Sequence, residues 1–289
     1  LEHHIERIVM LLQSYLFHLK ARNLSPRTIK AAGEYLSQYL AGGGDPLTAT
    51  KRDLEGFLAF KSETCRPSTV QTYWRYLKGF FEWLTAEGDI ASNPMTGVLK
   101  PIVPPIEIKV LSSSDIRQLL DTCKGRGTDN RRDLALLTIM LDTGLRLTEI
   151  TNLTLEDVGE DRTLRVFGKG RKWRTVALGE TASGALDRWL RTRGGAPGSL
   201  WPGRRGDLTP NGVRLVVRRR GKMAGLRVHP HALRHTFVDN WLRNGGSEVD
   251  LARLAGWTST AMASRYAQHR AAERAITAHR SINRATRQD

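Results

Sequence analysis

The segment from Lys100 to Ile108, which reads KPIVPPIEI, constrains the fold more than any other part of the sequence. It holds three prolines in nine residues and shows no helical spacing of apolar side chains. Proline fixes φ and disfavours the α region for the residue before it, so this segment is predicted to be extended. It divides the 289 residues into a domain at 5–98, a linker at 99–110 and a domain at 111–289.

The N-terminal domain is predicted to be all helical. Ser25 followed by Pro26 is typical of a helix start, because serine caps free N–H groups and proline suits the first turn. Pro67 opens a second helix, one face of which carries apolar and aromatic residues: Val70, Tyr73, Trp74, Leu77, Phe81 and Leu84. That stripe is predicted to be core rather than a base-stacking surface. On the opposite side, Arg75 and Lys78 are candidates for contact with a phosphate backbone.

The C-terminal domain is predicted to be mainly α, with a small antiparallel β element. Apolar residues alternate over 162–178, on both sides of a glycine-containing turn, which is typical of a β-hairpin. A further helical stretch is predicted in the tail, within Ala267–Asp289. Helical spacing also covers seven other stretches: 113–123, 131–142, 147–153, 181–192, 210–223, 233–243 and 248–255.

Basic residues are unevenly distributed along the chain, whose formal net charge is +16. Residues 1–100 hold 12 Lys and Arg against 10 Asp and Glu, whereas the remainder holds 33 against 19. A surplus of this size in one region indicates a polyanionic partner, and double-stranded DNA is the partner predicted here. A basic surface that serves only solubility is the alternative.

The sequence offers no metal or cofactor site. Cys65 and Cys123 are far apart without metal-ligand spacing, and this use of cysteine favours a reducing cytoplasm. His229, His231 and His235 come without a cysteine or acidic ligand at zinc-like spacing. No apolar run approaches the ~20 residues that a membrane helix needs. We therefore predict no metal, no cofactor and no membrane partner.

Two arginines and a late tyrosine suit chemistry at a phosphodiester. Arg146 lies at a predicted helix junction, Arg234 follows His231 by three residues, and Tyr266 closes the set. Guanidinium groups bind phosphate oxygens bidentately, and a phenol can displace one of those oxygens where cations stabilise the developing charge. Taken singly, ordinary roles stay open: Arg146 in a salt bridge with Glu149, and Tyr266 as a core ring.

A lysine and a histidine add groups that transfer protons. Lys169 lies between two glycines at the tip of the predicted hairpin, where the backbone can approach a ligand closely. There it could protonate an oxygen that leaves the phosphate, although an ordinary polar turn is the alternative. His231 has an imidazole, with a reference pKa of ~6.5, and is predicted to take the proton of Tyr266.

The stretch Thr209–Arg220 is predicted to be an amphipathic helix that reads DNA. Its valines face inward, whereas Asn211, Arg214 and Arg218 point outward. Because arginine and asparagine recognise base edges in the major groove, this outward face is predicted to contact DNA. A charged face that is merely solvated is the alternative.

Four short motifs and a tyrosine occur in one fixed order: Thr143-Gly144-Leu145-Arg146, Gly168-Lys169-Gly170, His231-Ala232-Leu233-Arg234-His235, Leu254-Ala255-Gly256-Trp257, and Tyr266. On these motifs the chain resembles the tyrosine recombinases, the integrase-like family that includes phage integrases and the Xer resolvases. The resemblance covers nearly the whole chain. It implies a two-domain, C-shaped DNA clamp, with a SAM-like core-binding domain at 5–98 and a catalytic domain with a tail helix at 111–289.

The resemblance also implies residue roles. Tyr266 is implied to be the nucleophile that forms a 3′-phosphotyrosyl bond, and Lys169 the acid that protonates the 5′ hydroxyl. Most members have His where this chain has Trp257, whose indole N–H donates a hydrogen bond but cannot shuttle a proton. Glu149 and His235 are implied to support the site. The implied catalytic set is Arg146, Lys169, His231, Arg234, Trp257 and Tyr266.

The reaction that the resemblance implies is site-specific DNA strand exchange without metal or cofactor. Exchange of two duplexes requires four cuts, so a homo-tetramer on DNA is implied, with accessory DNA-bending proteins or a partner recombinase as further partners. The implied location is the cytoplasm, in association with the nucleoid. The same catalytic set also resembles that of type IB topoisomerases, so DNA relaxation by a monomer is an alternative. A non-catalytic DNA-binding regulator on the same fold is another.

Overall fold

The chain divides into two compact units, Leu1–Ile106 and Glu107–Asp289, each with a hydrophobic core of its own. Lys169 and most of the predicted tail helix lie outside the residues that the structure describes. The structure is a computed structural model, and it describes residues 2–104, 108–168, 172–203, 206–257 and 259–269, with positions 276 and 279.

Four helices build the N-terminal unit: α1 (Glu2–Ala21), α2 (Pro26–Ala41), α3 (Lys51–Thr64) and α4 (Pro67–Glu87). The predicted cap of α2 forms, because the Ser25 hydroxyl accepts a hydrogen bond from the Thr28 N–H. The apolar stripe of α4 lies in the core, as predicted, with Tyr73 and Phe81 buried. Among the described residues of this unit, the regular secondary structure is therefore all helical, as predicted.

The described residues of the C-terminal unit are mainly helical and form two small antiparallel strand pairs, β1 with β2 and β3 with β4. The mainly α fold class is thereby confirmed. A 3-10 turn at Leu155–Asp157 precedes β1. The other elements, in chain order, are α5 (Ser113–Asp121), α6 (Thr128–Thr143), α7 (Leu147–Thr151), β1 (Thr163–Gly168), β2 (Lys172–Ala177), α8 (Glu180–Arg193), β3 (Pro202–Gly203), β4 (Gly206–Asp207), α9 (Pro210–Met223), α10 (Pro230–Arg243), α11 (Glu248–Ala255) and α12 (Ala261–His269).

Helix α10 begins three residues earlier than the sequence pattern predicted. The ring nitrogen Nδ1 of His229 accepts a hydrogen bond from the Ala232 N–H at 3.1 Å, and Pro230 occupies the first helical position. Because histidine is an uncommon cap, the sequence pattern alone predicts too late a start for α10. The short pair β3 and β4 was not predicted, because two-residue strands carry no readable alternation.

Helix α6 lies at the centre of the C-terminal core. It is buried on nearly all sides over Ala135–Met140 and packs against α8 and α10. Near its start, the fully buried carboxylate of Asp133 accepts hydrogen bonds from Arg132, Arg219 and Arg220. These four residues are referred to as the Asp133 cluster. Since Arg219 and Arg220 belong to α9, the cluster ties α9 to α6.

Within the described ranges, no helix combines the length and the apolar character that crossing a membrane would require.

Candidate active site

A glycine turn between α6 and α7 places Arg146. Gly144 ends α6 with φ +59°, and a Cβ at this position would collide with the ring of Phe237. Arg146 then caps α7, because its backbone N–H donates to Oε2 of Glu149 at 2.9 Å. The close approach of Phe237 and the left-handed φ both require glycine here. The first motif therefore acts as a turn that directs the arginine.

Glu149 is the buried centre of the site and is 4% exposed. Its Oε1 accepts from Nη1 of Arg146 at 2.7 Å, and Arg174 donates to both carboxylate oxygens at 3.0 and 2.8 Å. Burial alone raises the pKa of Glu149, but hydrogen bonds from Arg174 and Arg146 and the positive charge of Arg174 bring it below its ordinary value. These three residues are referred to as the Glu149 cluster.

Three consecutive carbonyl groups at the end of α11, Leu254–Gly256, are referred to as the carbonyl row. Each accepts from a different arginine at 2.8 Å: Leu254 from Arg174, Ala255 from Arg234 and Gly256 from Arg146. Helix ends leave carbonyl groups without partners and carry partial negative charge, so cations are favoured there. The carbonyl row thus holds three guanidinium groups within one small region.

Arg234 is the most enclosed of the three arginines, with 7% of its surface exposed. It also donates to the carbonyl oxygen of Gly144, and its guanidinium carbon lies 5.3 Å from the ring centre of Trp257. Burial, followed by the charge of Arg146, lowers the pKa of Arg234 to about 10. The side chain therefore stays charged at neutral pH, and an anion placed beside it and Arg146 would be stabilised.

Tyr266 lies in the second turn of α12, as predicted, and is 5% exposed. Its ring stacks on Trp257 at 6.1 Å between centres, with 20° between the planes. Its hydroxyl lies against Nδ1 of His235. Trp257 therefore contacts both Tyr266 and Arg234, which brings the phenol and the arginines into one site.

His231 lies at the exposed start of α10, with its ring centre 6.3 Å from that of His235. Although part of the residue is exposed, partial burial of the ring, and then the charges of His229, Arg234 and Arg214, lower the pKa of His231 below 6.5. It is therefore neutral near pH 7 and can accept a proton. The sequence predicted His231 as the partner of the Tyr266 hydroxyl, whereas the structure places His235 there.

The β1–β2 hairpin carries its buried aliphatic side chains and its exposed aromatic side chains on two different faces. Leu164, Val166 and Val176 are buried, whereas Phe167 and Trp173 are exposed and contact each other at 5.0 Å between ring centres. The last described pair before the turn joins Gly168 to Lys172. The predicted general acid, Lys169, lies outside the described residues.

The residues predicted to bind DNA are exposed in both units. On α9, Asn211, Arg214 and Arg218 point outward and the valines inward, as the sequence pattern predicted. On α4, Arg75 lies over the ring of Tyr76 and Lys78 over that of Trp74, at 5.1 and 5.3 Å from the ring centres. Both side chains are exposed and could reach a phosphate backbone. Lys78 also forms an ion pair with Glu82 at 3.7 Å, which has a small energy at the surface.

Sequence reasoning missed Arg174, although a signal for it was present. In the β2 pattern, residue 174 falls on the same face as Val176, which packs into the core. An arginine on a core-facing position needs a buried acceptor, and Glu149 and Leu254 supply it. Among the described residues, no group of three or more His, Cys, Asp or Glu side chains could hold a metal ion.

Comparison with known proteins gives one consistent result. The sequence profile of the Phage integrase family matches residues 109–273. The chain is 30% identical to the tyrosine recombinase XerD of Listeria monocytogenes, over 85% of this chain and 89% of that protein. It is 31% identical to the tyrosine recombinase XerC of Pseudomonas aeruginosa, over 88% of each.

Solved structures agree with this fold. A lambda integrase dimer bound to a COC′ core site superposes with a TM-score of 0.75 at 17% identity, over 88% of this chain and 96% of that one. The Tn1549 transposon integrase in complex with a circular intermediate DNA gives 0.71 at 20% identity, over 89% and 94%.

The chain therefore belongs to the phage integrase family, and it is a tyrosine recombinase. Its relatives support site-specific recombination as its function and do not favour DNA relaxation or a non-catalytic regulator.

Proposed function

We propose that Tyr266 is the nucleophile of a DNA strand transferase and that the three arginines at the carbonyl row prepare its site. The phenol oxygen of Tyr266 attacks the scissile phosphorus, the bond from phosphorus to the 5′ oxygen breaks, and a 3′-phosphotyrosyl bond forms. The observation that carries the proposal is the convergence of Tyr266 and Arg234 on Trp257, beside the Glu149 cluster.

Arg146 and Arg234 stabilise the charge that builds on the phosphate oxygens. Both are guanidinium groups with fixed orientation, and together with Arg174 they outnumber the single carboxylate of Glu149. Preorganised cations of this kind lower the barrier because they need no rearrangement as charge develops. The indole N–H of Trp257 adds a donor to a phosphate oxygen, and Glu149 supports Arg146.

Two histidines have separate tasks. His231 is proposed as the group that takes the phenol proton when DNA is bound, because it is neutral near pH 7 and exposed. His235 lies against the Tyr266 hydroxyl and is proposed to support it. Lys169 is proposed to protonate the 5′ oxygen, so that strand joining can later occur by reversal of the same steps.

The substrate is proposed to be double-stranded DNA with a specific recombination site. Residues 5–98 form the core-binding domain and contact DNA through Arg75 and Lys78. Residues 111–289 form the catalytic domain, with Asn211, Arg214 and Arg218 on DNA. Support comes from the charge surplus after residue 100 and from the DNA bound in the similar integrase structures.

A homo-tetramer is the proposed assembly, because four strands are cut in one exchange. A lambda integrase tetramer bound to a Holliday junction has the same fold, with a TM-score of 0.75 at 17% identity. Accessory DNA-bending proteins or a partner recombinase are proposed as further components. The proposed location is the cytoplasm, at the nucleoid, where such DNA is found.

The test is covalent capture of DNA from a pool of random sequences. The sequences that become linked to the protein identify its recombination site. The wild-type protein is incubated with randomised duplexes that carry nicks, so that a short fragment is lost after cleavage and religation is blocked. Protein-linked DNA is isolated after denaturation and sequenced. Wild type is expected to enrich one site, and Tyr266→Phe to give only background while it still binds that site. Covalent product from Tyr266→Phe, or none from wild type, contradicts the proposal.

The role of Lys169 has its own test on the captured site. Lys169→Ala is expected to cleave normal DNA slowly and to recover on DNA with a bridging 5′ sulfur, because a thiolate leaves without a proton. Arg146→Ala should show no such recovery, since it stabilises charge on the other oxygens. Equal recovery of both variants, or of neither, removes Lys169 from the acid role.

A further inference from the structure

Arg174 makes several contacts within the site, although the sequence pattern did not predict it as a site residue. It lies on β2, 15% exposed at the side chain, and faces the core rather than solvent. Its Nε donates to Leu254 of the carbonyl row at 2.8 Å, while Nη1 and Nη2 donate to the two oxygens of Glu149. One side chain therefore joins the hairpin, the carboxylate and the end of α11.

The carboxylate of Glu149 accepts four hydrogen bonds from described residues, two from Arg174 and two from Arg146. The pair from Arg174 is bidentate, so it fixes the plane of the carboxylate. With that plane fixed, Oε2 accepts from the backbone N–H of Arg146 and Oε1 from its Nη1. The other end of the same guanidinium of Arg146 is held by Gly256 in the carbonyl row.

Two glycines leave the space that Arg174 occupies. A Cβ at Gly168 would lie 2.8 Å from Nη1 of Arg174, and a Cβ at Gly256 would lie 3.1 Å from the same atom. Both distances are shorter than an ordinary van der Waals contact. The backbone on either side is therefore shaped around this guanidinium, which marks Arg174 as part of the site's construction.

We propose that Arg174 is a positioning residue for strand cleavage: it fixes the Glu149 carboxylate and the carbonyl row so that Arg146 and Arg234 stand ready for the scissile phosphate. The inference rests on the proposed function. Arg174 is not assigned a contact with DNA, because its Nε, Nη1 and Nη2 already donate to Leu254 and Glu149. Without Arg174, Arg146 and Arg234 are still present and charged, but their guanidinium groups are no longer held in a fixed orientation.

The test compares cleavage on two forms of the captured site. In one, the scissile phosphate is normal; in the other, a methyl group replaces one non-bridging oxygen, so that the phosphate is neutral and needs less positive charge. Arg174→Ala is expected to cleave normal DNA on the order of 10²-fold more slowly at saturation, with little change in Kd. On DNA with the neutral scissile phosphate, the loss of cleavage rate should be smaller for Arg174→Ala, as it should be for Arg146→Ala.

Conservative and matched variants separate geometry from charge and from folding. Arg174→Lys keeps the charge but cannot donate bidentately, so it should cleave as slowly as Arg174→Ala. Gly168→Ala disturbs the same contact from the backbone and should give the same pattern. Arg165→Ala, on the exposed face of the same hairpin, should cleave like wild type.

Three outcomes overturn the inference while leaving the proposed function intact, provided that wild type still forms the Tyr266-dependent product. The first is a wild-type rate for Arg174→Ala. The second is an equal loss on both forms of DNA, which indicates damage to folding rather than to the arginine geometry. The third is full activity in Arg174→Lys, which indicates that charge alone suffices.

Discussion

Two buried carboxylates in the C-terminal unit are surrounded by arginines, yet only one of them belongs to the site. In the Asp133 cluster, Arg220 donates to Asp133, to the Thr122 carbonyl and to Asn130, and its side chain is 5% exposed. In the Glu149 cluster, Arg146 is 26% exposed. Exposure does not separate the two, because Arg219 of the Asp133 cluster is 51% exposed. What differs is the neighbourhood: Arg146 shares the carbonyl row with Arg234, which contacts Trp257, and Trp257 in turn stacks on Tyr266.

Arg146 also keeps donors that a bound phosphate can use. Among the described residues, the guanidinium of Arg146 uses Nη1 for Glu149 and Nη2 for Gly256. A guanidinium carries five N–H groups, so Arg146 keeps donors for phosphate oxygens. Buried ion pairs are by themselves weak evidence for function, because they also occur where they only join helices. Unused donors beside a second guanidinium and a buried tyrosine are the better indication.

The largest expected effect is on stability, in the Asp133 cluster. Asp133→Ala leaves three arginines without their shared acceptor and should lower the free energy of unfolding by roughly 3–5 kcal/mol. Hydrogen exchange of amides in α6 and α9 reports this for the C-terminal unit alone. Asp129→Ala is the matched control, since Asp129 pairs with Arg132 from a partly exposed position and should cost about 0–1 kcal/mol. Equal effects of the two would remove the distinction between the clusters.

The next effect is on rate, and it should separate the clusters in the opposite sense. Arg146→Ala should lower the cleavage rate by on the order of 10²–10³ at saturating DNA, because a preorganised cation is lost. Arg132→Ala removes an arginine from the Asp133 cluster and should cost stability without slowing the folded protein. Single-turnover cleavage, measured below the unfolding temperature of each variant, checks both. A slow, folded Arg132→Ala would contradict the comparison.

A smaller effect concerns pH. Because the pKa of Glu149 in the folded protein lies below its ordinary value of 4.5, its ionised form stabilises the fold above that value. This contribution is lost as pH falls through the lowered pKa. Glu149→Gln cannot titrate, so its unfolding free energy should fall less between neutrality and about pH 3 than that of wild type. An identical pH dependence of the two proteins would show that the Glu149 contacts contribute nothing.

The smallest effect tests how far the positive charge of the site extends. Arg214 is the weakest of the four causes that lower the pKa of His231. Arg214→Ala should therefore raise the pKa of His231 slightly, as an NMR titration of the imidazole would detect. Arg165→Ala is the control, because the Arg165 guanidinium lies over Trp173 instead. A fall in the His231 pKa, or no change beyond the control, would contradict the assignment.

Much of the fold could be predicted because it depends on local spacing. Helices α9 and α11 have the predicted bounds, and Gly144, two residues before Arg146, indicates the α6–α7 junction. The contact between His235 and Tyr266 could not be predicted, because both histidines of α10 were within reach of a tyrosine 31 residues later. Sequence spacing gives the helix face of a residue but not the rotation of its ring.

The arginine clusters illustrate the same limit for side chains. Arg220 follows Val216 by one turn and so falls on the inward face of α9, where a charge requires a buried partner. The pattern predicts that a partner exists, but Asp133 is 87 residues away in sequence. Arg174 is similar, since its acceptor Leu254 is 80 residues away and is a backbone group that no motif records. Long-range pairing of this kind is determined by packing.

Because the carbonyl row consists of main-chain groups, the placement of its three arginines depends on how the end of α11 is rotated rather than on which side chains α11 carries. Exposed positions of α11, such as Val249 and Arg253, can change in sequence, because α11 holds the arginines through main-chain oxygens. A one-residue insertion or deletion within α11 is different, since it rotates the helix end by about 100° and withdraws all three acceptors together. Length variation among natural relatives should therefore be rare in this helix and common in the loop after Arg243.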